Sequence, residues 1–158
     1  MTKPEIIFQI DEPFLTDVRP DPIRRALNLT LRHFSQTDSL TVSLIITDND
    51  TSQQLNYQYR GINVPTDVLS FENIPDPDFP GFEHHYLGDI VIAYPVASIQ
   101  AQASGHTAME EIILLAVHGM LHLLGFEHDT PSSQQEMWHA QHRLMTELGL
   151  AHIQPTTD

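Results

Sequence analysis

The sequence predicts an α+β fold, a single domain in which a small mixed β-sheet of about four strands packs against about five helices. Three observations carry that prediction. Short apolar runs of strand length alternate with segments of helical periodicity, in the order βαβαββααα. The 158 residues suit one core, and no repeat or linker divides them. Finally, the segment from Ile112 to Leu124 is apolar on every side apart from two histidines, as befits a central buried helix.

The elements follow in order. EIIFQI (5–10) reads as a short strand. In DPIRRALNLTLRHF (21–34), Ile23, Leu27, Leu31 and Phe34 recur at helical spacing, with Pro22 just inside the start. TVSLIIT (41–47) reads as a buried strand, and a polar stretch led by Asp50 and Thr51 opens a short helix that ends near Arg60 and Gly61. VLSFEN (68–73) and LGDIVIAY (87–94) are two further strands, separated by the Pro-rich and acidic loop IPDPDFPGFEHH. Pro95 starts a helix that runs towards Gly105. Thr107 and Glu110 then form a T-x-x-E capping box, and the helix it opens runs to Leu124, where Gly125 can take the left-handed conformation that ends it. Ser133 and Glu136 suggest a second capping box, for a last helix that ends near Gly149, and residues 151–158 are expected to fray.

Composition narrows the function classes. A hydrophobic content of 41% against 18% charged residues fits a globular chain rather than a disordered one. The 13-residue apolar run at 112–124, interrupted by two histidines, is too short for a membrane span. The opening MTKPEIIFQIDEPF has no basic region followed by a sustained apolar one, so the expected location is the cytoplasm. Without cysteine there is no disulfide, thiolate ligand or thiol nucleophile, and any metal must be held by His, Asp or Glu. The net charge of −14 argues against general electrostatic capture of nucleic acid. A phosphate-bearing partner would have to be gripped in a local cleft.

The chemistry is concentrated in HGMLHLLGFEHD (118–129). An unpartnered imidazole in an apolar run costs a few kcal/mol, on the order of a lost hydrogen bond. On a helix, residues four apart share a face, so His118 and His122 can point at one site. Gly125 lets the chain leave the helix sharply and return His128 to the same point. Three neutral imidazoles without a fourth protein ligand make the coordination set of a catalytic zinc site, which predicts one Zn2+ per chain. The spacing H-x-x-x-H-x-x-G-x-x-H is also that of the metzincin proteases. Those enzymes need Glu directly after the first His as general base, and here that position is Gly119.

HGMLHLLGFEHD resembles the H-G-x-L-H-L-x-G-[YF]-x-H signature of the YbeY family, metal-dependent endoribonucleases of rRNA maturation. NYQYRGINVPTDVLSFEN (56–73) and LGDIVIA (87–93) resemble two further segments of that family, so the likeness runs from about residue 40 to about 130. Glu127 stands where the family more often has Asp, at a position that is not a ligand.

The resemblance implies one metalloribonuclease domain over 1–158, with His118, His122 and His128 as zinc ligands and Arg60 as the catalytic, phosphate-handling arginine. It implies a single-strand-specific endoribonuclease acting in 16S rRNA 3′-end maturation and ribosome quality control. The implied partners are single-stranded rRNA and ribosomal proteins or a ribosome-associated GTPase, with neither DNA nor a membrane. Guanidinium independently suits bidentate phosphate contact, although local sequence leaves open a surface arginine capping a helix. Two other readings stay open: a non-catalytic zinc-binding ribosome-assembly factor, and a zinc peptide or amide hydrolase, which the missing Glu at 119 disfavours.

The general base also stays open among metal-activated water, Asp67, Asp89 and the substrate's own 2′-hydroxyl. Asp67 could orient Arg60 or a ligand, or simply form a turn. Asp89 could accept a hydrogen bond from a ligand histidine or pair with nearby backbone. Asp129 is read as a capping or solvated residue, His139 and His142 as a solvated helix face, and His84 and His85 as loop residues without special role. Met137 and Trp138 are read as core.

Overall fold

A computed structural model describes residues 4–35, 40–74, 78 and 85–154. Four strands and five helices appear in the expected order: β1 (Glu5–Ile10), α1 (Pro20–Phe34), β2 (Thr41–Thr47), α2 (Asn49–Arg60), β3 (Val68–Glu72), β4 (Tyr86–Ala93), α3 (Tyr94–Ser104), α4 (Ala108–Leu123) and α5 (Pro131–Glu147). A short 3-10 turn at Glu12–Phe14 joins β1 to α1. The sheet order is β1-β2-β4-β3, with β1, β2 and β4 parallel and β3 antiparallel at the edge beside β4. The result is the mixed four-stranded α+β domain that the sequence predicts.

Alternation along the strands decides which side chains meet the helices. Val42, Leu44 and Ile46 of β2, with Ile90 and Ile92 of β4, are fully buried in one cluster with residues of α1, α4 and α5. α4 touches α1, α3, α5, β3 and β4, and its Ile112, Val117, Met120 and Leu121 are inaccessible. Burying each such large side chain contributes about 1.5–3 kcal/mol, so α4 is the best-anchored element of the fold. That anchoring gives the two histidines it carries a rigid base.

Helix ends follow cap chemistry, with two departures from expectation. The capping box of α4 is formed as read: Glu110 N–H donates to Thr107 Oγ1 at 3.2 Å and Thr107 N–H donates to Glu110 Oε1 at 2.9 Å. α2 opens one residue earlier than expected, because Asp48 caps it by accepting from Thr51 N–H at 2.8 Å. The second capping box joins Thr130 and Ser133 rather than Ser133 and Glu136. Pro131 explains the shift: it fits the first helical position, which makes the residue before it the cap. The tail is also more tied down than expected. Ile153 is 2% exposed and His152 Nε2 lies 3.3 Å from Glu110, while 155–158 fall outside the described residues. No helix among the described residues is long and apolar enough to cross a membrane.

Candidate metal centre

α4 carries His118 and His122 one turn apart, and the chain beyond its end brings back the third imidazole. Gly125, at φ +100°, makes the reversal. Gly125 N–H donates to His122 O and Phe126 N–H to Leu121 O, both at 3.0 Å, and the Phe126 ring packs edge-on against Phe34 at 5.4 Å. The loop is thereby pinned, and ring centroids lie 5.0 Å (His122–His128) and 5.7 Å (His118–His128) apart. One nitrogen from each of the three histidines falls within 4.8 Å of the others, a group that could hold a metal ion.

Hydrogen bonds fix which nitrogens face inward. His118 Nδ1 lies 3.0 Å from Gln141 Oε1, and His122 Nδ1 lies 3.0 Å from the Phe126 carbonyl. Both oxygens only accept, so each Nδ1 carries the proton and each Nε2 presents a lone pair. Those two Nε2 atoms face each other at 3.1 Å. Two lone pairs at that distance repel, and a cation between them turns the repulsion into coordination. Burial, and then the adjacent His122, hold the His118 pKa down at about 4. His122 is lowered as well, by burial first and then by His128. His118 and His122 are therefore neutral at ordinary pH, as metal ligation requires.

α5 supplies the wall of the site. Trp138 stacks on His128 at 6.0 Å and tilts over His118 at 5.7 Å, so this half-buried ring belongs to the site as well as to the core. Gln141, 2% exposed and three residues further along α5, is the residue that sequence reasoning missed. A signal existed: it falls on the apolar stripe of Met137, Leu144 and Met145, all buried, where a polar side chain needs a partner. Met137 is core, as read, and His139 and His142 are exposed.

The rings open onto a cleft of about 600 Å³ that Arg60, Asp67, Ser70, Glu127 and Asp129 also line. Arg60 ends α2, and Gly61 at φ +72° turns the chain. The following loop is tied back onto α2. Ser52 Oγ donates to Thr66 O at 2.8 Å, Asn56 Nδ2 to Val64 O at 2.9 Å and Gln53 Nε2 to Asn63 O at 3.1 Å. This lacing brings Arg60 and Asp67 to one cleft, where the positive charge of Arg60 adds to the lowering of both His118 and His122.

The acidic candidates separate. Asp67 lines the cleft, with Oδ1 accepting from Val68 N–H at 2.7 Å. Behind it, the Gln100 amide faces Asp67 Oδ2 and Glu111 Oε2, both of which only accept, so its nitrogen is assigned to that side, at 3.3 and 3.0 Å. Glu111 is fully buried, with His106 Nε2 at 2.6 Å, and desolvation raises its pKa against the pull of that histidine. Asp89 is not at the centre. Its strand neighbour Ile90 meets α4 at Gly119, so alternation turns Asp89 to the opposite face, where the Tyr86 hydroxyl donates to it and lies 2.7 Å from Ser43 Oγ. Asp129 is exposed beside the Thr130 cap and accepts only from the Ser133 side chain, Oγ at 3.1 Å, in keeping with the solvated reading rather than the capping one. Glu127 lies 3.8 Å from His122 Nδ1, on the side away from the Nε2 cluster. His85 is exposed, and His84 lies outside the described residues.

Gly119 has a steric reason. A Cβ there would meet Ile90 Cγ2 at 2.8 Å and Ser70 Oγ at 3.0 Å, so α4 approaches the sheet too closely for the glutamate of a protease motif.

Known proteins resemble this chain over most of its length. The family model described as Endoribonuclease YbeY matches residues 14–149. A relative from Desulfitobacterium hafniense (strain Y51), named Endoribonuclease YbeY, is 37% identical over 140 residues, covering 86% of this chain and 87% of its own. Another of the same name, from Roseiflexus sp. (strain RS-1), is 36% identical over 151 residues, covering 90% and 92%. The solution structure of a Thermotoga maritima protein has a TM-score of 0.58 at 23% identity, covers 92% of this chain and 88% of that one, and shares the fold.

Proposed function

The chain belongs to the YbeY family of endoribonucleases, and on that premise we propose that it hydrolyses phosphodiester bonds of single-stranded RNA, with zinc held by His118, His122 and His128. The observation that carries the reading is the pair of lone-pair-bearing Nε2 atoms facing each other at 3.1 Å, beside His128 and in one cleft with Arg60. A zinc ion bound there would supply Lewis-acid polarisation of a phosphate oxygen and a water of lowered pKa.

The chain's own residues do the rest. Gln141 and the Phe126 carbonyl hold the rings of His118 and His122 in the ligating tautomer. Arg60 binds the scissile phosphate through its planar fork and offsets the charge that develops on it. Trp138 excludes water from the side of His118 and His128. Among the two carboxylates considered as proton acceptors, Asp67 is the one that reaches the cleft.

The opening of the three imidazoles onto a cleft favours catalysis over a purely structural metal site, in which four protein ligands close the shell. The lack of room at Gly119 weighs against a peptide hydrolase. The proposed setting is cytoplasmic maturation of the 16S rRNA 3′ end and ribosome quality control, alongside ribosomal proteins or a ribosome-associated GTPase, and without DNA as substrate.

The test is cleavage of a labelled single-stranded fragment of the 16S rRNA 3′ region beside a duplex of the same sequence. The expected result is cutting of the single strand that a chelator abolishes and added zinc restores. Equal cutting of both substrates, or cutting that ignores the chelator, would contradict the proposal.

A further inference from the structure

Glu111 neither belongs to the histidine group nor lines the cleft, yet it is a fully buried carboxyl on α4. His106 Nε2 lies 2.6 Å from its Oε1, and the Gln100 amide nitrogen lies 3.0 Å from its Oε2. Desolvation comes first among the causes that raise its pKa, against the pull of His106, and the charge of Asp67 adds to the rise. Replacing a buried ionic set by apolar side chains of similar volume is often neutral or stabilising, so stability alone does not account for this one. The set has an outlet. The same Gln100 nitrogen reaches Asp67 Oδ2 at 3.3 Å, and Asp67 lines the cleft. Its Oδ1 accepts from Val68 N–H at 2.7 Å and from Thr66 Oγ1 at 3.4 Å, while its carbonyl accepts from Ala93 N–H at 3.0 Å. Backbone and carboxylate are thus fixed together, and Oδ2 keeps a lone pair for a partner in the cleft.

Position and charge limit that partner. Glu111, Leu115, His118 and His122 recur at i, i+4, i+7 and i+11, so one stripe of α4 carries both the anchor of Asp67 and two of the imidazoles. Seven residues of helix, a rise of about 10 Å, separate Glu111 from His118. That spacing suits contact with a sugar beside the scissile phosphate rather than with the phosphate gripped by Arg60. A carboxylate also repels phosphate and only accepts hydrogen bonds, so in a cleft for a polyanion it needs a donor. Beside each phosphate of RNA that donor is the ribose 2′-hydroxyl, the group by which a protein tells RNA from DNA.

We propose that Asp67 accepts a hydrogen bond from the 2′-hydroxyl of a nucleotide flanking the scissile phosphate, and that Gln100, Glu111 and His106 hold it in position to do so. The inference rests on the reading of the chain as a ribonuclease and adds to it the residue that selects ribose over deoxyribose. Selectivity follows from the fixed carboxylate. A substrate without the hydroxyl fills the cleft and leaves that lone pair unmatched.

The experiment measures kcat/KM of the zinc-loaded full chain on a single-stranded all-ribose oligonucleotide and on a series in which one nucleotide at a time, on either side of the cut, is 2′-deoxy. Parent, Asp67→Ala and Gln100→Leu are compared, with zinc content and urea midpoint taken for each. For the parent, one deoxy position should lower kcat/KM about 10- to 100-fold, the size of a lost hydrogen bond to a charged group. Asp67→Ala should lose a similar factor on the all-ribose strand and respond within about twofold to the deoxy substitution at that position, as a double-mutant cycle requires of two partners. Gln100 is not part of the cleft lining, so partial loss of the same discrimination in Gln100→Leu, at parental zinc content, separates positioning from folding. That variant alone carries the test if Asp67→Ala does not fold. Parent and Asp67→Ala losing equal factors at every deoxy position would overturn the assignment of Asp67 and leave the nuclease reading intact. Full parental discrimination in Gln100→Leu would overturn the positioning role. A parent that cuts no strand of the series would overturn both the nuclease reading and this one.

Discussion

Replacing Gln141 by Leu isolates the contact that orients the first metal ligand. The glutamine is 2% exposed and its Oε1 lies 3.0 Å from His118 Nδ1, so leucine keeps the volume and removes the acceptor. Two effects follow, each with its own size. The His118 N–H is left without a partner in a largely apolar setting, which costs about 1–3 kcal/mol of stability in the metal-free protein. The ring is also no longer held with Nε2 as the lone-pair atom, and loss of such an outer partner weakens metal binding about 10- to 100-fold. Competition with a chromophoric chelator measures the second effect and urea unfolding of the metal-free protein the first. Gln141→Glu restores an acceptor and should bind zinc at least as tightly as the parent. A folded Gln141→Leu protein with zinc affinity within twofold of the parent would refute the assignment of Gln141 as the residue that sets the His118 tautomer.

Other perturbations test the surroundings. Gly119→Ala gains about 1 kcal/mol of helix propensity but puts a Cβ 2.8 Å from Ile90 Cγ2, and overpacking of that kind costs about 1–3 kcal/mol; the urea midpoint should fall, and a rise would show that α4 can draw back from the sheet freely. His106→Ala leaves the fully buried Glu111 carboxyl without its 2.6 Å partner and should destabilise by about 3 kcal/mol or more, whereas a loss below about 1 kcal/mol in denaturant titration would mean that Gln100 alone satisfies it. The pH dependence has a definite sign. Burial holds His118 down at about 4 in the fold, against 6.5 for an ordinary histidine, so the folded state resists a proton that the unfolded chain accepts. The stability this contributes is present above pH 6.5 and lost as pH falls towards 4, by up to about 3 kcal/mol, and calorimetry of the metal-free protein at steps across that range should follow the decline.

Much of this site is local in sequence, and that part was legible. His118, His122, Gly125 and His128 lie within one helix end and its turn, where spacing alone fixes geometry. The capping box at Thr107 and Glu110 marked the start of that helix for the same reason. What depends on packing between distant elements was not legible. Gln141 meets His118 across 23 positions, and only the docking of α5 on α4 brings them together. Asp89 reads as a plausible partner for a ligand histidine until strand register assigns it to the face opposite α4. The Asp67–Gln100–Glu111–His106 cluster draws on the loop before β3, on α3 and α4 and on the turn between the two helices, and no single stretch announces it. The α5 cap was misplaced by a competition that Pro131 decides, and the packing of Ile153 reflects a tertiary contact that an apolar residue in a polar tail only hints at.

In the proposed reaction Arg60 acts on the phosphate held at the His118–His122–His128 centre. The most direct measurement is single-turnover cleavage of a labelled single-stranded rRNA fragment by the parent, Arg60→Ala and Arg60→Lys, with zinc content measured on each sample. The expected result is equal zinc in all three, a rate for Arg60→Ala lower by about 100-fold or more, and incomplete recovery with lysine, which cannot make the bidentate contact. Equal rates at equal zinc would contradict the claim and remove Arg60 from the reaction.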